Sequence, residues 1–155
     1  MESRITRRQL LQRGIAVGLV ASGVSRALFA APRKPAMLVY KDPSCGCCKN
    51  WIEHLIKHGY RVDAKDTPDI AQIKSTLGVP GALTSCHTAV VEGYLIEGHV
   101  PASDIDRLLA TKPNVKGLAV PGMPMGSPGM EGGMKQHYQV IAFDRTGKTR
   151  VFASY

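Results

Sequence analysis

Three cysteines fall within four residues at Cys45-Gly46-Cys47-Cys48, and the residues on either side limit what this stretch can fold into. Before it, Met37 to Tyr40 is apolar and reads as a strand, and Lys41-Asp42-Pro43-Ser44 has the composition of a turn and helix cap. After it, Trp51, Ile52, Leu55 and Ile56 recur at spacings of three and four, Lys49, Glu53 and Lys57 take the other face, and Gly59 closes the segment. That pattern predicts an amphipathic helix. The cysteines therefore sit where a strand meets a helix N-terminus. Unpaired amides and the helix dipole favour anions there, so thiolates form more readily than in water.

The same reading extends along the chain. Tyr60 to Ala64 is a short second strand, and Pro68 to Leu77, with Ile70, Ile73 and Leu77 on one side, is a second helix ended by Gly78-Val79-Pro80. Thr88 to Glu92 and Tyr94 to Glu97, split by Gly93, predict an antiparallel hairpin, followed by a third helix from Pro101 to Leu109 capped by Ser103 or the preceding proline. A strand-helix-strand unit followed by a hairpin and a helix matches a thioredoxin-like α/β plan. From Thr111 to about Gln136 the chain is rich in Gly, Pro and Met and has no helical or strand period, which predicts a long functional or mobile loop. Tyr138 to Phe143 and Thr149 to Ala153 close the chain as a C-terminal β-hairpin. With 155 residues, 44% hydrophobic and 21% charged, one packed domain is expected.

The N-terminus carries Thr6-Arg7-Arg8-Gln9-Leu10-Leu11, an uncharged stretch from Gly14 to Val24, and small residues around Ala27, Ala30 and Ala31. Residues 1–30 thus read as a cleaved signal peptide of twin-arginine type, leaving 31–155 as a metal-binding domain of thioredoxin-like plan. An ordinary secretory signal with a coincidental arginine pair is the alternative. The apolar run is about 11 residues, against the roughly 20 needed to cross a bilayer, so no stable span remains after cleavage and a periplasmic location follows. The signal holds five arginines against Glu2, a surplus of four, which leaves +4 of the formal +8. The remaining basic residues are scattered, and no nucleic-acid surface is expected.

Cys86 lies in Ser85-Cys86-His87-Thr88, just before the hairpin. In a thioredoxin-like domain that loop faces the first helix's N-terminus, so Cys86 is expected opposite Cys45 and Cys48. Thioredoxins carry a proline in this loop; here the nearest is Pro80 and a soft ligand stands instead. Two disulfides are the plain alternative, though adjacent Cys47 and Cys48 on a helix diverge by roughly 100° and do not pair with each other. On helical spacing Cys45 and Cys48 share a face and can grip one ion, while Cys47 points away and recruits a second, which favours a cluster. Structural zinc usually takes two separated pairs of ligands. Copper(I) prefers thiolate and thioether, accepts two- and three-coordination and lets sulfur bridge. An iron–sulfur cluster, in an electron carrier, is the other assembly four cysteines hold.

Other side chains are candidates for secondary roles. His87 adjoins Cys86 as a ligand, a donor to a ligand or a proton handler, or as an exposed loop histidine. His54 and His58 are four apart and expected on a solvated face, and His99 and His137 have no partner that spacing reveals. Met123, Met125, Met130 and Met134 are four of the six methionines, packed into twelve residues. Their thioethers suit copper(I) and suit zinc poorly; packing as a lid over apolar surface is the alternative.

Taken in order, Tyr40-Lys41-Asp42-Pro43-Ser44-Cys45-Gly46-Cys47-Cys48, Val79-Pro80, Ser85-Cys86-His87-Thr88, Gly93-Tyr94, Glu97-Gly98-His99-Val100-Pro101, Gly117-Leu118 and Pro121-Gly122-Met123-Pro124 resemble the CopG-type proteins, or domain of unknown function 411. The resemblance covers nearly all of the chain after the signal. It implies a periplasmic copper-resistance protein of thioredoxin-like fold binding copper(I), several ions per chain, through Cys45, Cys47, Cys48 and Cys86. Redox conversion of copper by these thiols is proposed for the family, and the partners implied are periplasmic copper donors or acceptors. The reading is of a protein that buffers or transfers copper(I). The alternative from another class is a thiol-disulfide oxidoreductase of exported proteins, with Cys45 and Cys48 as attacking and resolving pair.

Overall fold

Met37 and Val39 are buried and alternate with half-buried Leu38 and Tyr40 in β1 (Ala36–Lys41), the period-two pattern of a strand with one face on a core. The computed structural model describes residues 33–155; the signal-peptide expectation for residues 1–30 lies outside them. After β1 come α1 (Gly46–Lys57), β2 (Arg61–Asp66), α2 (Ile70–Leu77), a 3-10 turn (Gly81–Leu83), β3 (His87–Val91) and β4 (Tyr94–Glu97). The chain then runs through α3 (Ala102–Thr111), β5 (Gly117–Ala119), β6 (Gln139–Phe143) and β7 (Thr149–Ser154). The fold is mixed α/β, one seven-stranded sheet in the order β2-β1-β3-β4-β5-β6-β7. The β1–β2 and β4–β5 pairs are parallel and the other four antiparallel.

Two apolar clusters sit on opposite faces of the sheet, as the neighbours Leu95 and Ile96 on β4 show by pointing into different ones. The larger holds Trp51 and Leu55 from α1 with Ile105 and Leu108 from α3. The smaller takes Leu83 from the 3-10 turn, with Val79, Ala119 and Phe143. Trp51 is fully buried and its indole N–H donates to the Val100 carbonyl at 2.9 Å, so its polar atom is satisfied. Truncating a buried tryptophan costs about 3–5 kcal/mol, which makes Trp51 the anchor that holds α1 on the sheet.

One local expectation is corrected. The span 111–136, expected to lack strand structure, contains β5, which pairs with both β4 and β6. Three residues are too few to display a period. Gly117 is required there by close approach, because a β-carbon would strike the Leu95 carbonyl. Of the two caps expected for α3 the preceding proline is the one found: the N-cap is Pro101, without a side-chain cap bond, and Ser103 lies inside the first turn.

The topology creates the site. β1 and β3 are antiparallel neighbours with Lys41 opposite His87. The chain leaving β1 for α1 and the chain entering β3 therefore meet at one end of the sheet. The first segment carries Cys45, Cys47 and Cys48, and the second carries Cys86.

Candidate metal centre

Asp42 starts the turn into α1 by accepting hydrogen bonds from the Ser44 hydroxyl and from its amide at 2.8 Å, and these hold its carboxyl below the usual range. Cys45 follows as the N-cap, in an extended conformation, and its Sγ accepts from the Cys48 amide at 3.3 Å. Cys45 and Cys48 are joined in a disulfide, and Cys47 and Cys86 are free thiols. The four cysteines place their Sγ atoms within 4.8 Å of one another.

Cys47 does not point away. Its Sγ stands 3.6 Å from Cys45 Sγ, 3.8 Å from Cys86 Sγ and 3.7 Å from Met123 Sδ. The helical-wheel argument fails because Cys45 is a cap residue outside the helix, with φ −71° and ψ 99°. Its side chain folds back over the first turn instead of following the 100° progression that separates Cys47 from Cys48.

Cys86 meets two imidazoles. His99 Nε2 lies 3.1 Å and His87 Nδ1 3.3 Å from its sulfur. His99 Nδ1 is 2.7 Å from the Pro128 carbonyl. A carbonyl only accepts, so in the neutral ring Nδ1 carries the proton and the Nε2 lone pair faces Cys86. His87 is fully buried against Trp51, with ring centroids 4.2 Å apart, and its Nε2 has no hydrogen-bond partner among the described residues. Burial pushes His87 well below its ordinary value, with the charges of His99 and Lys74 adding. Burial also lowers His99, against the Pro128 carbonyl and the Glu131 carboxylate. Both rings are therefore neutral, the form that binds metals. The Cys86 thiol is pushed up to about 12, first by burial and then by Cys47, so without a metal it keeps its proton. Cys86, His87 and His99 form a second group of mutually close donors that shares Cys86 with the first.

His99 is the residue that sequence reasoning missed. The hairpin register pairs Thr88 with Glu97. Continued by two residues, it brings Cys86 opposite His99, and the Gly98 amide donating to the His87 carbonyl at 3.1 Å carries the register on. The signal was present once the hairpin was assigned.

The long segment between β5 and β6 is docked on α1. Gly129, at φ +85°, lies so close to the helix that a β-carbon would stand 2.7 Å from the Trp51 nitrogen and 2.9 Å from the Cys47 oxygen. Asn50 Nδ2 donates to its carbonyl at 3.4 Å, and its amide donates to Glu131 at 2.9 Å. This segment brings Met123 to the cysteines. Met125 packs against Gly133, Met130 closes a turn by donating its amide to Ser127 at 2.9 Å, and Met134 is 90% exposed.

The remaining histidines are elsewhere. His58 is exposed, whereas His54, expected on a solvated face, is half-buried and its Nε2 accepts from the Ala102 amide at 3.2 Å, capping α3. His137 is exposed, with Nδ1 3.2 Å from the Tyr155 carbonyl. No helix among the described residues is long and apolar enough to cross a membrane.

Comparison with known proteins adds a family. Residues 83–130 match the family described as "Protein of unknown function, DUF411". Two solved structures, named "Copper resistance protein copG", Form 1 and Form 2, are each 47% identical to this chain. Each superposes with a TM-score of 0.75, covering 79% of this chain and 98% of the other. No curated protein matches significantly.

Proposed function

Since the chain belongs to the DUF411 family, alongside copper resistance protein CopG, we propose that it is a periplasmic copper(I)-binding protein of copper resistance and homeostasis. Copper(I) is its cargo, held as a small thiolate cluster by Cys45, Cys47, Cys48 and Cys86 and exchanged with periplasmic donors or acceptors. The observation that carries this reading is the convergence of four sulfurs from two separate segments within 4.8 Å. A copper(I) ion takes two or three soft ligands, so four thiolates, a thioether at Met123 and two neutral imidazoles offer more donors than one ion uses. Sulfur bridging between ions then follows. His87 turns its Nδ1 to the Cys86 sulfur at 3.3 Å, on the side where an ion held by the thiolates would lie.

A thioredoxin-like domain is the fold reading that goes with it, supported by the parallel β1–α1–β2 unit, the β3–β4 hairpin and α3. Export by a twin-arginine signal over residues 1–30 completes the proposal. Loading begins with reduction: a dithiol donor passes two electrons and two protons to the Cys45–Cys48 disulfide, giving two thiols here and a disulfide in the donor, and each thiol that binds copper(I) releases its proton.

The test is metal content per chain after anaerobic reduction and copper(I) loading. The expected result is more than one copper per chain in the parent and a sharp loss of affinity in Cys86→Ser, with the fold intact. Reduced parent protein that retains no copper would sink the reading. A second reading is favoured by the disulfide itself, with the free Cys47 sulfur 3.6 Å from Cys45. That reading is a thiol-disulfide oxidoreductase of exported proteins, which predicts catalysed reduction of a protein disulfide such as insulin's by metal-free protein.

A further inference from the structure

Behind Cys86 lies a buried polar knot that the metal site does not itself use. Glu97, at the end of β4, and Thr88, on β3, are fully buried, and Lys74 from α2 is 6% exposed. Lys74 Nζ donates to Glu97 Oε1 at 2.5 Å and to Thr88 Oγ1 at 2.8 Å. Thr88 Oγ1 donates in turn to Glu97 Oε2 at 2.5 Å, and the Ser85 amide donates to Glu97 Oε1 at 2.6 Å. One carboxylate therefore holds the residue before Cys86 and the residue two after it.

A buried ion pair is weak evidence for stability, because desolvating both charges offsets their attraction and apolar replacements are often as stable. What this pair does have is position. Cys86 precedes the first residue of β3, so the ladder does not hold it. From His87 onward its segment is held by the ladders to β1 and β4; ahead of that the Ser85 hydroxyl donates to the Gly122 carbonyl and the Cys48 sulfur lies 3.8 Å from the Cys86 carbonyl, while the Gly98 amide donates to the His87 carbonyl. The cysteines of the Cys45–Cys48 turn are carried by α1, whereas the fourth ligand depends on how the Ser85–Thr88 segment is held.

We infer that Glu97, Lys74 and Thr88 are positioning residues for the metal centre, the carboxylate fixing the Ser85–Thr88 segment so that Cys86 presents its sulfur to Cys47, 3.8 Å away. Lys74 pairs with Glu97 at 2.5 Å, and the knot holds the segment through these hydrogen bonds. The metal consequence rests on the copper(I) reading; the placement of Cys86 is measurable without metal.

Thr88→Val keeps the branched shape and removes the hydroxyl, and Thr88→Ser keeps the hydroxyl. The pair Lys74→Met with Glu97→Gln removes both charges together, so neither ion is left unpaired. Two readouts are taken on full-length protein that urea unfolding shows to be folded. One is the rate at which diamide joins Cys47 to Cys86, two electrons and two protons passing from the thiols to the diazene, with the Cys45–Cys48 disulfide intact. The other is the copper(I) affinity of reduced protein in competition with bicinchoninate. The expected result is a fall of roughly 10- to 100-fold in both for Thr88→Val and the double variant, as for residues that orient metal ligands elsewhere, with Thr88→Ser restoring both. A slowed joining rate in chains whose parent retains no copper upholds the positioning and removes the copper reading. A joining rate equal to the parent's in both folded variants, or a Thr88→Ser protein as impaired as Thr88→Val, overturns the positioning whatever copper does. Should Thr88→Val not fold, the double variant decides.

Discussion

Gly129→Ala is the perturbation whose effect the structure specifies most fully. Gly129 has φ +85°, where a residue with a β-carbon costs about 1–2 kcal/mol. The new β-carbon would also stand 2.7 Å from the Trp51 nitrogen and 2.9 Å from the Cys47 oxygen. Both are backbone atoms of α1, pinned by the buried Trp51, so the Pro128–Gly129 turn has to lift. Lifting stretches the 3.4 Å bond from Asn50 and the 2.7 Å bond between His99 and the Pro128 carbonyl, each worth about 0.5–1.5 kcal/mol. The undocking equilibrium shifts by about 2 kcal/mol at least, or roughly 30-fold at 1.4 kcal/mol per decade. The assay is the labelling rate of Cys47 by N-ethylmaleimide in metal-free protein, beside Gly132→Ala as control. Gly132 shares the left-handed backbone, at φ +108°, and has nothing within 4 Å of its β-position. Faster labelling in Gly129→Ala alone is expected. Equal labelling in the two variants would refute the argument that this turn is held on α1 by close approach.

Met123→Leu is expected to lower copper(I) affinity in a chelator competition by removing a thioether 3.7 Å from Cys47, while Met134→Leu, at a position 90% exposed, leaves it unchanged. The metal-free protein is expected to lose stability as pH falls below 6.5. Burial holds His54, His87 and His99 below that ordinary value, so the unfolded chain takes up protons first, and the loss continues down to the lowered folded-state values. Urea midpoints at pH 7.5 and pH 5 measure it, and an unchanged midpoint counts against the buried neutral rings.

How much was legible follows from the range of each interaction. The helix carrying Trp51 and Leu55 declares itself through side chains three and four residues apart, and the hairpin through two short apolar runs split by Gly93, because both signals are local. Three-residue β5 has no such signal, and its place in the sheet rests on Gly117 passing close to Leu95 from a distant part of the chain.

The sequence alone determined that three sulfurs stand at a strand-to-helix junction and that a fourth precedes a hairpin, since chain connectivity and local periodicity suffice for that. The tertiary structure decided which way the sulfurs point and what surrounds them. Cys47 faces Cys86 because β1 and β3 pair with Lys41 opposite His87, which brings the turn into α1 against the segment entering β3, and Cys45 comes back to Cys47 because it is a cap and not a helical residue. His99 reaches Cys86 because two strands pair in one register, and Met123 arrives because a glycine lets a long segment settle on a helix. Each of these depends on contacts between residues far apart in the chain, which packing sets and local spacing does not encode.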